Sequence, residues 1–356
     1  MDFNNINIQQ LEWNSFESKN RLKYLNLISN KNKLMDDCEL NNDDFFTDFI
    51  KNQQMVVKEN LSLAKTEFKA IGEHHLDVSQ PSIYCSFRIG AFMSIPIFLL
   101  KKGVDLIVLS SKESYSKVMD LKKKNKAYDG IEVIKVNDPN GFRKIITESK
   151  KGKSFFCLID VGRSVNDNQK HKAVVDFGNA QIETMIGIPY LSHVLKMPLV
   201  PLFSYRADNL NYIHIEEEID KNAYKDRMDF GLGATHLLWE KFERYFLKYP
   251  TQWESLYYLR DFLKEDDETD IALVHEVKNE SLGFNEKRYT FFIRDNEYYL
   301  FDYETCHQFN VSKYMFVFFQ KINEAKTRLR LHDLKSFFKT EKIIENFIEK
   351  KILIPA

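Results

Sequence analysis

Residues 83–109 read IYCSFRIGAFMSIPIFLLKKGVDLIVL, and this stretch decides the fold. Ile83 to Phe87 is an apolar run of the length of a buried strand. Residues 91–102 then carry apolar side chains at helical spacing, and Gly103 stands where helices usually end. Residues 105–110, DLIVLS, make a second apolar run. Strand, helix and strand in so short a span form a β-α-β unit, whose two strands lie parallel with the helix on one face.

The same rhythm continues downstream. A Lys-rich amphipathic helix is expected over 113–126, a strand over 131–136, a helix over 141–149 and the strand SFFCLID over 154–160. After a polar loop at 162–172 come an apolar run at 173–177, a helix at 186–195, the strand LVPLF at 199–203, a strand at 213–217 and a helix at 236–247. Repeated β-α-β units predict an α/β domain over 79–262, with a mostly parallel sheet and helices on both faces. Upstream, residues 1–78 predict a helical region packed on that core. The segment DDFFTDFI at 43–50 has the acidic start of a helix, and Leu61, Leu63, Ala64, Phe68 and Ile71 continue an apolar helical face to Gly72.

The acidic run KEDDE at 264–268 reads as a solvated boundary. Beyond it, residues 288–294 and 297–303 predict a β-hairpin around Asp295-Asn296, followed by helices at 311–322, 331–338 and 341–351. This gives a small α+β, winged-helix-like domain over 270–356. Its pattern, with YYLFDYETCHQFN ahead of the first long helix, is similar to PqqD-like domains. That similarity implies recruitment of a peptide or protein partner by strand addition to an exposed sheet edge. Lys321, Lys326, Arg328, Arg330, Lys335 and Lys339 are interspersed with acidic residues and read as a solvated face.

Composition narrows the function classes. The 356 residues include 51 Lys and Arg against 52 Asp and Glu, a formal net charge of −1, so no global field draws nucleic acid or anionic lipid. No nucleic-acid partner and no cofactor is expected. Cys38, Cys85, Cys157 and Cys306 are far apart with no C-x-x-C pair, which argues against a disulfide framework or a zinc knuckle and for reduced thiols in a cytoplasmic protein. The most apolar stretch, 95–100, contains Pro96 and runs into Lys101 and Lys102. The expectation is therefore a protein without a transmembrane segment, at most peripheral to a membrane.

Three stretches carry a family resemblance. They are 83–109, quoted above; FCLIDVGRSVNDNQKHKAVVDFGNAQIETMIGIPYLSHVLKMPLVPLFSYR at 156–206; and LKYPTQWESLYYL at 247–259. In order and spacing, residues 80–258 resemble the lipid A late-acyltransferases of the lysophospholipid acyltransferase class. The resemblance implies an acyl donor, a carrier-protein or CoA thioester, whose chain lies in an apolar groove. It also implies a histidine general base with an acid five residues on, leaving the first strand. Counting back from Gly103 places Arg88 at the histidine position and Met93 at the acid position, with Gly90 retained. Arginine stays protonated and cannot accept a proton, and methionine cannot orient a base by charge. The reading is therefore a diverged acyltransferase-family protein with altered or lost transfer, binding an acyl-type or peptide substrate. Its alternative is a non-enzymatic accessory protein of a peptide pathway.

The candidate substrate-binding residues are Arg88, Gly90, Asp160, Arg163 and Arg206. Arg88 is expected either to hold a carboxylate, phosphate or thioester oxygen or to pair with an acid such as Asp160. Asp160 and Arg163 sit at a strand end, where open α/β sheets place ligands. Arg206 matches the family's head-group arginine. His74 and His75, with Asp77 nearby, read as helix-surface residues, His193 as a core or interface histidine, and Cys85 as inert packing inside a strand. Pro250 and Trp253 are expected to fix a helix end by packing.

Overall fold

The structure, a computed structural model, describes residues 15–35, 41–62, 65–136, 138–160, 171–264, 281–294, 296–325, 329–330, 334, 338 and 341–355. Two compact units emerge: Lys33–Lys264, and Met1–Asn32 together with Glu265–Ala356.

The larger unit is built on a seven-stranded sheet. After α1 (Ser15–Leu34), described with the smaller unit, α2 (Asn42–Leu61) starts where the Asn41 side chain accepts from the N–H groups of Asp43 and Asp44. Then follow β1 (Lys69–Ile71), β2 (Ile83–Ser86), α3 (Ile95–Lys101), β3 (Leu106–Ser110), α4 (Lys112–Lys124), β4 (Glu132–Lys135), α5 (Gly141–Ser149) and β5 (Ser154–Leu158). The hairpin β6 (Lys172–Phe177) and β7 (Ala180–Met185) precedes α6 (Gly187–Leu195), β8 (Leu199–Ala207), β9 (Leu210–Ile215) and α7 (Arg227–Lys248). The strand order is β1-β9-β8-β2-β5-β3-β4. The five strands from β8 to β4 run parallel, β9 is antiparallel to β8, and β1 joins parallel to β9.

Both faces of β2 are buried, as its uninterrupted apolar run requires. On one face Tyr84, Leu106, Phe156 and Leu202 pack with Ile95 and Leu99 of α3. On the other, Phe87 lies flat on Phe242 of α7, with ring centroids 4.0 Å apart, and Phe177, Phe203, Trp239, Phe246 and Trp253 complete an aromatic cluster. Rings in such stacked and edge-on pairs gain about 0.5–1.5 kcal/mol each beyond their burial.

One expectation for this unit is corrected. The helical face expected to run to Gly72 stops at Leu61. Residues 69–71 instead form β1, because Lys69, Ala70 and Ile71 pair with Tyr212, Ile213 and His214. The run at 173–177 is half of a hairpin, since Val174 and Val175 find partners in Glu183 and Ile182.

The smaller unit contains β10 (Ser281–Phe284), β11 (Tyr289–Arg294), β12 (Glu297–Asp302), β13 (Gln308–Val311), α8 (Lys313–Ala325), β14 (Leu329–Arg330), α9 (Glu341–Glu349) and β15 (Leu353–Pro355). It has two three-stranded antiparallel sheets, β14-β10-β15 and β11-β12-β13, and so is richer in strands than the single hairpin expected. Leu282, Phe319, Ile344, Phe347 and Leu353 close one core. Leu25 of α1 packs with Phe292, Tyr299 and Phe301 in a second. That contact explains why residues 1–32 group with this unit rather than forming one helical region with residues up to 78. Most of the helix expected at 331–338 lies outside the described residues.

Candidate functional site

The carboxyl ends of β2 and β5 meet at Asp160, which is fully buried. A carboxylate there needs donors, since a buried charge without hydrogen bonds costs several kcal/mol. Four donate. The backbone N–H of Arg88 lies 3.1 Å from each carboxylate oxygen, Trp253 Nε1–H donates at 2.7 Å, and the Ser255 hydroxyl donates at 2.8 Å. Burial pushes the Asp160 carboxyl above its usual range, and Arg88, Trp253 and Ser255 pull it back. Parallel pairing of β2 with β5 sets this geometry, matching Ser86 to Leu158 and so carrying Arg88 and Asp160 out at the same edge.

The turn after β2 is held from above by residues 250–256. Ile89 bridges to Trp253, the N–H of Glu254 donates to the Arg88 carbonyl at 2.8 Å, and Gly90 N–H donates to the Gln252 carbonyl. Gly90 has φ +61°, and a Cβ there would lie 2.6 Å from the Ser204 carbonyl oxygen. A glycine is thus required here by the close approach of β8, whatever the chemistry.

The Arg88 side chain is half-buried. Its guanidinium donates to Ser255 Oγ at a long 3.4 Å, and among the described residues no carboxylate lies within ion-pair distance of it. Arg88 meets Asp160 through its backbone amide, and its guanidinium acts on that carboxyl by charge alone. Arg206 is placed differently. It is 7% exposed, and its guanidinium donates to both oxygens of Glu59 on α2 at 3.0 and 2.5 Å, to Asn52 and to the Gly90 carbonyl. It fastens α2 over the turn. Arg163 lies outside the described residues.

A cavity of about 330 Å³ opens at the carboxyl ends of β3, β4 and β5. Met93, Phe156, Leu158, Ile159, Ile188 and Leu191 give it an apolar lining, and Ser110, Ser111 and Ser114 supply hydroxyls where α4 begins. Met93, the residue at the expected acid position, faces a cavity rather than a histidine, and its carbonyl accepts from Tyr128 Oη at 2.5 Å.

The remaining candidates lie elsewhere. His74 and His75 occupy a short turn after β1, and their neighbour Glu73 pairs with Lys102 at the foot of α3, the end remote from Arg88. Asp77 is bound by Ser79. His193 packs on Phe230 of α7. Cys85 is buried mid-strand, where burial raises its thiol far above the range in which a thiolate forms.

Sequence reading missed two residues. Trp253 is a hydrogen-bond donor to Asp160 as well as a packing group. Glu254 places its carboxyl in the field of Arg88, with Asp160 and Lys117 also in reach. Burial raises its pKa, with Arg88 opposing and Asp160 adding to the rise. The only sequence signal was their position in the PTQWES segment, within the third family-like stretch.

No protein-family model and no curated protein sequence matches the chain. Among solved structures, the 1-acyl-sn-glycerophosphate (LPA) acyltransferase PlsC of Thermotoga maritima is similar over 64% of this chain and 97% of that one, at 12% identity and a TM-score of 0.35. Among the described residues no helix is long and apolar enough to cross a membrane.

Proposed function

We propose that the α/β unit binds an acyl-type chain in the cavity at the carboxyl ends of β3, β4 and β5 and that the acyltransferase chemistry of the family it resembles is altered or lost. The carrying observation is the apolar cavity at the carboxyl ends of the parallel strands, with Met93 in its wall. Apolar pockets from about 300 Å³ upward are the usual form of small-molecule sites, and strand carboxyl ends are their usual place in open α/β sheets. The absence of chemistry rests on Arg88, which cannot act as the base. His74 and His75 stand too far off to replace it. The acyl donor, a carrier-protein or CoA thioester, is part of the same proposal, as are Asp160 and Arg163 as neighbours of the bound ligand.

A titration with a fluorescent acyl chain tests this reading. Binding should saturate in the native chain and fall at least about 10-fold in Ile188→Trp, which fills the half-buried wall of the cavity. Unchanged binding in that variant would remove the cavity from the account.

One observation favours a second role for the smaller unit. β11 pairs with β12 alone, so one edge of its sheet is open among the described residues. An extended peptide adding to that edge would recruit a peptide or protein partner. Capture of candidate peptides by the full chain, lost when Pro is placed at Phe291, would support it. Capture insensitive to that change would not.

A further inference from the structure

The overall charge balance of the chain hides a local excess. Residues 112–153, which span α4, β4 and α5, carry twelve Lys and Arg against six Asp and Glu, a net charge of +6 in a chain whose total is −1. The same elements wall one side of the cavity, through Ser114 and Val118 of α4, Val136 after β4, and Phe142 and Ile145 of α5. Lys123 and Lys144 are paired with Asp120 and Glu132. Among the described residues, Lys117, Lys135 and Arg143 have no carboxylate within ion-pair distance, and each is the chain neighbour of a lining residue, Val118, Val136 and Phe142 in turn. From α7, Arg227 lies 5.5 Å over the ring of Tyr190, which also lines the cavity. The acids close to these cations are held locally: Asp138 accepts from the Asn140 N–H, and Asp226 caps α7 by accepting from Met228 and Asp229.

Apolar side chains stand exposed among the cations. Phe142 is 51% exposed, and Val136 and Met228 are exposed beside it in sequence or beside Arg227. Cations around protruding apolar groups are the pattern of a surface that enters a lipid interface, where the apolar groups reach the acyl boundary and the cations meet anionic headgroups. An acidic protein would match the charge alone, whereas a bilayer also accounts for an apolar cavity that opens between these groups. We propose that this mouth docks on an anionic lipid bilayer, with Lys117, Lys135, Arg143 and Arg227 at the headgroups and Phe142 in the interface. A chain then passes between bilayer and cavity without crossing water. This rests on the chain-binding reading above and names the partner surface for the same site. A thioester donor is compatible with it, because the donor arrives from water while a released chain partitions into lipid.

Sedimentation of the full-length protein with vesicles tests this, using phosphatidylcholine alone and an equimolar mixture of phosphatidylcholine and phosphatidylglycerol. Binding to the anionic vesicles should be at least ~10-fold tighter and should weaken as salt rises. Each cation near such a surface contributes about 5-fold, so Lys135→Gln/Arg143→Gln should lose roughly 25-fold. Lys124→Gln/Lys126→Gln, which removes the same charge at the far end of α4, should lose little. Phe142→Ser should weaken binding to both vesicle types. Circular dichroism melts matching the native chain separate docking from folding. Equal binding to the two vesicle types, or equal losses in the two double variants, overturns the docking face. Vesicle binding at background overturns the lipid assignment, and retention on a purified acidic carrier protein in its place would assign the face to a protein. The fluorescent-chain titration, run without vesicles, keeps the two readings apart. Its failure with vesicle binding intact removes the chain-binding reading, and its success with vesicle binding absent removes this inference alone.

Discussion

Replacing Trp253 by Phe tests the joint between β2 and β5. The variant keeps an aromatic ring among Phe177, Phe242 and Phe246 but removes the Nε1–H that lies 2.7 Å from Asp160. Asp160 has no access to water, so the lost donor cannot be replaced by solvent. A hydrogen bond to a charged group contributes about 1.5–3 kcal/mol, and the smaller ring adds a modest cavity cost. A loss of about 2–3 kcal/mol in a unit of this size lowers Tm by roughly 4–12 °C. Circular dichroism melts and urea titrations would measure it, and a double-mutant cycle with Asp160→Asn isolates the bond. If Trp253→Phe costs as much in the Asp160→Asn background as in the native chain, the two residues are uncoupled and the reasoning fails. The effect also carries a pH sign. Burial raises the folded pKa of Asp160, so its ionised form is the costly one. Its contribution to stability is full below the ordinary aspartate range and declines as pH rises through the raised value. Removing a donor raises that value further, so the variant's deficit should shrink on acidification.

Gly90→Ala should cost at least about 2 kcal/mol in urea unfolding, from its left-handed backbone and the 2.6 Å approach to Ser204. Glu59→Ala strands the buried Arg206 charge and should cost about 3 kcal/mol, and pairing it with Arg206→Met should recover much of that loss. In the smaller unit, burial opposes ionisation of Asp302, but the Arg288 hydrogen bonds at 3.1 and 2.9 Å outweigh it and hold the carboxyl below its usual range. Its contribution is full above the ordinary aspartate value and is lost as pH falls through the depressed one. Protection factors of the β11 and β12 amides in hydrogen exchange should therefore fall on acidification, and Asp302→Asn should flatten that response. Acyl-carrier or acyl-CoA donors with lysolipid acceptors should show transfer about 10²–10⁴-fold below an enzyme with its base, and robust transfer abolished by His74→Ala or His75→Ala would refute the placement of Arg88.

What the sequence made legible follows from where its signals reside. Apolar runs such as IYCSF and DLIVLS announce buried parallel strands, and the glycines between them mark the turns. That reading also set Arg88 and Asp160 at the same edge. Lys69–Ile71 carried no such signal, because a three-residue strand is defined by its partner β9 rather than by its own pattern. Arg206 looked like a ligand-binding residue because nothing in its neighbourhood in sequence reveals Glu59, far upstream on α2. Glu254 was hidden for the same reason, since its chemistry arises from Arg88 and Lys117, which only folding brings near. The grouping of α1 with the smaller unit is likewise a matter of which distant apolar surface Leu25 meets.

The central claim is that an acyl-type chain enters the cavity at the carboxyl ends of β3, β4 and β5. Photolabelling the full-length protein with a diazirine-bearing decanoate, followed by peptide mapping, tests it most directly. The account predicts labels on Met93, Leu158, Ile188 or Leu191, all suppressed by excess unlabelled decanoate. Labels confined to exposed apolar residues such as Leu210, Leu247 and Tyr258, or labels that excess decanoate does not suppress, would contradict it.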